Sequence, residues 1–314
     1  MHTLAQHPPE GWQASLLASH APDGVWAKWK AYRKARRDLH HQCRLKELRP
    51  DIVHIHTASD WSWYRKVRLL RIARHYDVPV VMHIHSGKFA TWIQSLSKRR
   101  QHSIRRVLSD KGVLGIALSE GWRNQLSAWL GDLGVVANPV SEKYLPAQGR
   151  RDEHHLLLLG RRDPIKGHDF AIELAGVLRE HHPHLRLSLT GRKDSPQPWV
   201  AALGWVAEEE KIRLLQQASV LLIPSAYEGQ PMVMLEALAC GLPVCASDRL
   251  VDVPEPVRCA PHDDVLAWAE TITALLLAPP DAQQLQEAAQ KFSIYAVAEA
   301  WKRHYEVLLS FSRV

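Results

Sequence analysis

The chain has 314 residues, of which 46% are apolar, and this is enough to build two ordinary domains with buried cores. No stretch approaches the roughly 20 consecutive apolar residues that a membrane-spanning helix needs, and the N-terminus lacks the basic and then apolar pattern of a secretion signal. The four cysteines show no paired spacing, so we expect a cytoplasmic protein whose thiols are reduced.

The charge is unevenly distributed along the chain. Residues 1–150 carry 24 Lys and Arg against 11 Asp and Glu, although the net charge of the whole chain is only +7. The densest basic clusters are 26–37 and 98–106, and the first interleaves aromatic residues with charge at helical spacing. Such a helix either binds an anionic membrane surface or forms a solvated face, and the sequence favours neither. No nucleic-acid recognition motif accompanies the charge, so we expect no nucleic-acid partner.

Histidine is abundant, with 19 residues, but no HExxH motif and no cysteine pairs accompany it. We therefore expect the histidines to be scattered over surface and strand positions, and we predict no metal site.

Apolar strands alternate with amphipathic helices along the whole chain, and this pattern predicts an α/β fold with parallel sheets. The break at Asn138-Pro139 predicts domains at 1–138 and 139–291, followed by an amphipathic helix in 292–314. In chain order, the predicted strands are 52–56, 78–85, 113–118, 134–137, 155–160, 185–191, 220–224 and 243–246.

The most informative segment follows the predicted strand 220–224. Glu228 lies in a Gly-containing turn, Pro231 suits the first position of a helix, Glu236 lies about two turns further on, and Gly241 suits its end. A helix N-terminus after such a turn binds phosphate, and the two carboxylates could hold hydroxyl groups on either side. The pattern indicates a nucleotide-sugar site.

A second segment follows the predicted strand 155–160. Arg161 and Lys166 lie in the loop after this strand, at the sheet edge where parallel sheets bind ligands. Both side chains suit phosphate, because Arg can bind it in a bidentate manner and Lys adds a point charge.

Together these segments resemble the signatures of the retaining glycosyltransferases of family 4. The first matches as Glu, seven residues, Glu, and then Ala-Leu-Ala-Cys-Gly-Leu-Pro-Val; the second matches as Leu-Gly-Arg-Arg-Asp-Pro-Ile-Lys-Gly. The resemblance implies the GT-B fold, with two Rossmann-like domains whose parallel sheets face a central cleft and a last helix that crosses back to the first domain. It implies metal-independent, front-side transfer of a hexose-type sugar from a UDP-sugar or GDP-sugar to a saccharide or lipid-linked acceptor, without a further cofactor.

The resemblance also implies roles for individual residues. Arg161 and Lys166 would stabilise the leaving diphosphate, Glu228 would contact the donor sugar, and Glu236 would bind the ribose hydroxyls. His85 would support the sugar from the end of a first-domain strand, with His83 as the competing position. The remaining implied donor-binding residues are Gly160, the turn residues Gly229, Gln230, Pro231 and Met232, and the base-pocket residues Gly191, Arg192, Trp205 and Val206. Trp205 could stack on a base, but we expect a core or edge position for this side chain.

The match is weakest at the front of the chain. The first strand and Gly-rich loop of the family have no counterpart, and Gly11–Ala18 resembles the second strand. There are three alternatives: the given sequence starts late, the sheet pairs its strands in another way, or the function is degraded. We expect the first. In the turn, Gln230 and Pro231 stand where Phe-Gly is more common, and the proline removes one N–H donor. The rival functions are a donor-binding protein with impaired catalysis and an epimerase or phosphorylase of the same fold.

Overall fold

Two parallel sheets, each flanked by helices, organise the chain into two units. The computed structural model describes residues 2–21, 24–146, 149–195 and 197–312. Unit 1 comprises Met1–Asn138 and Ile294–Val314, and unit 2 comprises Pro139–Ser293. The chain returns to unit 1 at Ile294, whereas the sequence interpretation placed this return at 292. The α/β class with parallel sheets is confirmed.

Unit 1 contains a four-stranded parallel sheet in the order β1-β2-β3-β4. All five residues of β2, Val-Val-Met-His-Ile, are buried, and this explains its continuous apolar signal. The elements of unit 1 are α1 (His2–Gln6), α2 (Val25–Arg44), β1 (Val53–Thr57), α3 (Trp61–His75), β2 (Val80–Ile84), α4 (Phe89–Ser95), α5 (Lys98–Leu108), β3 (Val113–Ala117), α6 (Glu120–Leu130), β4 (Gly134–Val135) and α12 (Ile294–Ser312).

Helix α12 belongs to the core of unit 1. Trp301 is fully buried and packs in one cluster with Val81 of β2 and Ile116 of β3. Burying a side chain of this size is among the largest contributions that a single residue makes to a core. The amphipathic pattern at the end of the chain therefore reflects packing against this sheet.

Strand β1 lies at one edge of the unit 1 sheet, because β2 is its only partner among the described residues. The segment Gly11–Ala18, which resembles a strand by sequence, forms no strand. Within the described residues the sheet is therefore not re-paired on this side. A cavity of about 250 Å³ lies beside β1, lined by residues 52–56 of the strand region and by parts of the segment 4–17.

Unit 2 contains a six-stranded parallel sheet in the order β10-β9-β8-β5-β6-β7. The strands β7 and β10 were not predicted. They form the two edges, and their sequences Val-Ala-Ala-Leu-Gly and Arg-Cys-Ala are partly exposed and lack a continuous apolar run. The elements are β5 (His155–Leu158), a 3₁₀ turn (Pro164–Lys166), α7 (His168–Arg179), β6 (Arg186–Thr190), β7 (Val200–Gly204), α8 (Glu208–Gln217), β8 (Val220–Ile223), α9 (Met232–Ala239), β9 (Val244–Ser247), β10 (Arg258–Ala260), α10 (Val265–Leu277) and α11 (Ala282–Gln290).

The strand order of unit 2 reverses between β5 and β8. From β5 the chain builds outward through β6 and β7, and it then returns to the other side of β5 to build β8, β9 and β10. The loops after β5 and β8 therefore leave the sheet in different directions. A place where the strand order reverses in this way is a topological switch point, and parallel sheets bind ligands there, at the carboxyl ends of the strands.

Candidate functional site

The loop after β5 is shaped by Asp163 and Gly167. The Asp163 carboxylate accepts a hydrogen bond of 3.2 Å from the backbone N–H of Ile165 and so caps the 3₁₀ turn. Gly167 has a φ of 71° and precedes α7, and a Cβ at this position would lie 2.8 Å from Cγ of Pro224. The glycine therefore permits this loop to approach the loop after β8.

The two loops are joined by their backbones and by an ion pair. The N–H of Ala226 donates to the carbonyl of Ile165 at 2.9 Å. Lys166 Nζ forms an ion pair with Glu228 Oε1, and Ser225 Oγ donates to the same oxygen at 2.9 Å. The Lys166 and Glu228 side chains are only 21% and 17% exposed. The structure therefore brings two of the predicted site residues into contact at the switch point.

The other two predicted residues of this group have separate partners. Arg161 is 70% exposed and forms an ion pair of 2.9 Å with Asp163 of its own loop. Glu236 lies in α9, is 5% exposed, and accepts a hydrogen bond of 3.0 Å from Lys211 Nζ. Its second oxygen, Oε2, is buried and has no hydrogen-bond partner among the described residues. This buried oxygen can therefore accept a further hydrogen bond.

Lys211 and Tyr144 surround Glu236, and the sequence analysis missed both. The Tyr144 hydroxyl donates to Glu208, and Lys211 Nζ lies 5.1 Å from the centre of the Tyr144 ring. Burial, followed by the Glu236 carboxylate, raises the pKa of Tyr144, so its phenol stays protonated. The segment Glu-Glu-Glu-Lys of α8 gives no signal for this contact, because its acidic partner lies 25 residues further along the chain.

A glycine also brings the loop after β6 close to the loop after β5. Gly191 has a φ of 80°, and a Cβ there would lie 2.4 Å from the carbonyl oxygen of Gly160. Thr190 fixes the same contact, since its Oγ1 accepts from the N–H of Gly160 at 2.8 Å and donates to its carbonyl at 3.1 Å. Gly191 is therefore required for a steric reason, whereas at Gly160 a Cβ would meet only ordinary contacts of 3.4 Å or more.

The predicted base-pocket side chains are arranged differently from one another. Arg192 is 11% exposed and forms ion pairs with Asp169 and Asp194, so its guanidinium is held by unit 2 itself. Trp205 is 83% exposed, so the expected core position is wrong, and the residue directly follows the edge strand β7. Val206 follows directly after it, beyond the end of β7.

Helix α9 begins one residue later than predicted. Pro231, with ψ of 113°, is the N-cap and not the first helical residue, and Gly229 and Gln230 form the turn before it. The helix starts at Met232, and the N-cap proline supplies no side-chain cap. Its end is a Schellman motif around Gly241, as the glycine stop predicted.

In unit 1, His85 directly follows β2. Its backbone N–H donates to the carbonyl of Thr57 at 2.9 Å, and its Nε2 lies 2.7 Å from Nδ1 of His56. Burial lowers the pKa of His85 to about 4, so the ring is neutral at neutral pH. His83 is 1% exposed, and its Nε2–H donates to the carbonyl of Val136 at 3.2 Å. The competing histidine therefore lies inside the unit, and His85 lies at the strand end.

The expectation of scattered histidines is wrong for four of them. His54 and His56 of β1 and His83 and His85 at the end of β2 form one cluster, in which neighbouring ring centres lie 4.1 to 5.6 Å apart. The alternation of strand side chains gives the signal that could have found it, since two His-x-His segments on adjacent strands share a face when their registers match.

The comparisons with known proteins agree with the fold and the motifs. The family profile described as Glycosyltransferase Family 4 matches residues 5–144, and the profile described as Glycosyl transferases group 1 matches residues 153–292. A glycogen synthase of Mycobacterium tuberculosis is 28% identical over 79% of this chain and 67% of that protein. A D-inositol 3-phosphate glycosyltransferase of Paenarthrobacter aurescens is 27% identical over 88% of this chain and 77% of that protein.

Solved structures show the same fold. The sucrose-phosphate synthase of Thermosynechococcus elongatus superposes with a TM-score of 0.70 at 20% identity, over 95% of this chain and 82% of that one. A TarM mutant of S. aureus, solved with UDP and alpha-GlcNAc-glycerol, superposes with a TM-score of 0.64 at 16% identity, over 87% of this chain and 59% of that one.

The chain belongs to the glycosyltransferases of family 4, and it is an enzyme of this class with two α/β domains of the GT-B type. No helix within the described residues combines the length and the apolar character that crossing a bilayer requires.

Proposed function

We propose that this enzyme transfers a sugar from a nucleotide-diphosphate donor, with retention of configuration, to a saccharide or lipid-linked acceptor. The observation that carries the proposal is the contact between Lys166 and Glu228 at the switch point of the unit 2 sheet. A cation and a carboxylate held side by side at this place suit a ligand that has both an anionic group and sugar hydroxyls.

Lys166 is proposed to stabilise the departing diphosphate. Its ammonium lies in the loop after β5 and pairs with Glu228, four residues before the start of α9, whose dipole favours negative charge. Because Glu228 neutralises Lys166 in the absence of donor, the arriving diphosphate would compete for the lysine and release the carboxylate toward the sugar. Arg161, which is exposed, is proposed as a second cation for the phosphates. These cations and the helix dipole replace a divalent metal ion at the donor and need no cofactor.

Glu236 is proposed to bind the ribose of the donor nucleotide. Lys211 satisfies one carboxylate oxygen, and the other is a buried acceptor without a described partner. An unmatched buried acceptor is costly, and a hydroxyl donor from the ribose would remove this cost. His85 is proposed to support the sugar with its neutral ring, and the donor base is proposed to be uracil or guanine.

Titration and turnover assays test this proposal directly. UDP and GDP are titrated calorimetrically in EDTA, and transfer from UDP-hexoses and GDP-hexoses is followed by NMR of the anomeric product. We expect one nucleotide to bind, transfer to persist in EDTA, and the product to keep the donor's anomeric configuration. Inversion, or strict dependence on a divalent cation at the donor, would contradict the mechanism.

Variants assign the roles of the ion pair. Lys166→Ala and Glu228→Gln should each abolish transfer, while Glu210→Gln, which removes an exposed ion pair with Arg213, should leave it unchanged. Nucleotide binding without turnover in the wild type would favour the impaired binding protein instead. Dependence of sugar release on free phosphate would favour a phosphorylase.

We also propose that the basic face of unit 1 binds anionic membrane surfaces, which would fit a lipid-linked acceptor. The buried residues of α2 are confined to its second half, from Ala35 onward. Val25, Trp26 and Trp29 in its first turns are 83%, 74% and 46% exposed. The guanidinium of Arg33 lies 4.5 Å from the centre of the Trp29 ring. Aromatic side chains surrounded by cations are typical of interfacial helices.

Sedimentation with lipid vesicles tests this surface. We expect binding to vesicles that contain anionic lipid, weak binding to neutral vesicles, and loss of binding when Trp26 and Trp29 are both replaced by Ser. Trp205→Ser is the control, because it removes from unit 2 an indole that is 83% exposed. Equal binding to DNA and to anionic vesicles would show a nonspecific polyanion surface and would overturn this part of the proposal.

A further inference from the structure

The histidine cluster of unit 1 is a second group of polar side chains, and the proposed transfer reaction uses only His85 of this group. His54 and His56 are two residues apart on β1, and the register of the sheet places His56 opposite His83 of β2. Their side chains therefore share one face of the sheet. The rings of His54 and His56 are stacked with their centres 4.5 Å apart.

Two ring nitrogens in this cluster are buried and have no hydrogen-bond partner among the described residues: Nδ1 of His83 and Nε2 of His54. For His83 the tautomer follows from its contact, because the carbonyl of Val136 can only accept and so Nε2 must carry the hydrogen. Nδ1 of His83 is therefore a buried lone pair. His54 holds its other nitrogen, Nδ1, 2.7 Å from the hydroxyl of Tyr305.

The nitrogens of three of these rings converge. His54, His56 and His83 each place one ring nitrogen within 4.8 Å of the nitrogens of the other two. Three imidazoles that bind one cation at about 2.0–2.1 Å in tetrahedral geometry need nitrogens about 3.4 Å apart, so small ring rotations would complete the arrangement. We propose that His54, His56 and His83 bind one divalent transition-metal cation of the Zn²⁺ or Co²⁺ type.

The type of ligand decides which cation suits the cluster. Imidazole is a ligand that zinc, cobalt, nickel and copper share, whereas calcium and magnesium prefer oxygen.

The surroundings supply the outer contacts that a histidine site needs. The Val136 carbonyl orients His83, the Tyr305 hydroxyl orients His54, and His85 contacts His56. Hydrogen bonds of this kind fix the ring orientation of metal ligands.

The cavity of about 250 Å³ beside β1 is lined by His54 and His56 and gives an entry path with room for a water or an anion as fourth ligand. Lys66 also lines it, and burial lowers the pKa of Lys66 to about 8. The lysine, and the lack of a carboxylate in the described cluster, favour an anionic fourth ligand such as hydroxide. The bound cation would link the edge strand β1 to β2 and thereby stabilise unit 1.

Metal titration of the 314-residue chain tests this inference independently of transfer. The protein is stripped with EDTA, dialysed and titrated with Co²⁺, whose visible d–d absorption reports tetrahedral coordination, and with Zn²⁺ by calorimetry. We expect one cation per chain. X-ray absorption of the wild-type complex should show three imidazole ligands at about 2.0–2.1 Å, a result that needs no variant to fold.

Variants then locate the site. His54→Gln and His83→Gln should weaken binding by more than tenfold, and Tyr305→Phe, which removes only an orienting hydroxyl, should weaken it about tenfold. His155→Gln is the control, because it alters a buried strand histidine in unit 2 that bonds Ser188. No tetrahedral Co²⁺ spectrum, fewer than three imidazoles in the wild-type complex, or an equal loss in His155→Gln would overturn the inference.

Discussion

Acidification should destabilise unit 1 through its buried histidines. The folded state lowers the pKa of His54 from 6.5 to about 3 and that of His85 from 6.5 to about 4, in both cases mainly by burial. Below pH 6.5 the unfolded chain therefore binds protons that the folded chain excludes. Stability increases with pH wherever the unfolded state binds more protons. The contribution of these histidines is complete above pH 6.5 and is lost as the pH falls toward 4 and 3.

The magnitude follows from the same values. Between pH 7 and pH 5 the unfolded state takes up about 0.7 proton per histidine, which costs about 2 kcal/mol each, or about 4 kcal/mol for His54 and His85 together. His56 and His83 also have lowered pKa values and would add to this loss. Since domains are typically stable by about 5–15 kcal/mol, unit 1 should approach its unfolding transition near pH 5.

Hydrogen exchange followed by mass spectrometry can measure this effect for each unit. The opening free energies of amides in β1 and β2 are compared at pH 7 and pH 5 in EDTA, after correction for the intrinsic exchange rate. Unit 2 supplies an internal comparison, because burial lowers the pKa of His155 to about 4 and predicts a loss of only about 2 kcal/mol there. His54→Gln should reduce the proton uptake of unit 1 by about one. A change below about 1 kcal/mol in β1 and β2 would refute the reasoning, because it would mean that the folded cluster accepts protons freely.

Three further predictions concern packing. Gly191→Ala should destabilise unit 2 by about 2 kcal/mol or more in urea, because its Cβ would overlap a backbone carbonyl at a positive φ, whereas Gly149→Ala, with no atom within 4 Å, should be neutral. Trp301→Ala should cost about 3–5 kcal/mol, and Trp26→Ala, at a 74% exposed position, less than about 0.5 kcal/mol. A thiol reagent should modify Cys259 in the native protein and the other three cysteines only after denaturation, since they are buried.

Each of these predictions has a clear contrary result. Equal stability of the two glycine variants would mean that the loops after β5 and β6 can separate at no cost. A small effect of Trp301→Ala would mean that α12 does not depend on this side chain for its packing. Rapid native reaction of two or more thiols would contradict the burial of the cysteines.

The sequence by itself determined the elements whose signal is local. The alternation of apolar strands and amphipathic helices predicted the parallel α/β class, and the spacing of Pro231 and Gly241 predicted α9 to within one residue. Lys166 and Glu228 could be singled out because each lies in a loop after a buried strand, where parallel sheets bind ligands.

The tertiary structure decided the contacts between segments that are distant in the chain. The pairing of Lys211 with Glu236 and the edge strands β7 and β10 have no local pattern that separates them from solvated residues. The two His-x-His segments are a local pattern, but their meeting in one cluster depends on the pairing of their strands. The physical reason is that periodicity records whether a single strand or helix buries one face. The choice of partner depends on strand order and register, which place His56 opposite His83 only once β1 and β2 have paired.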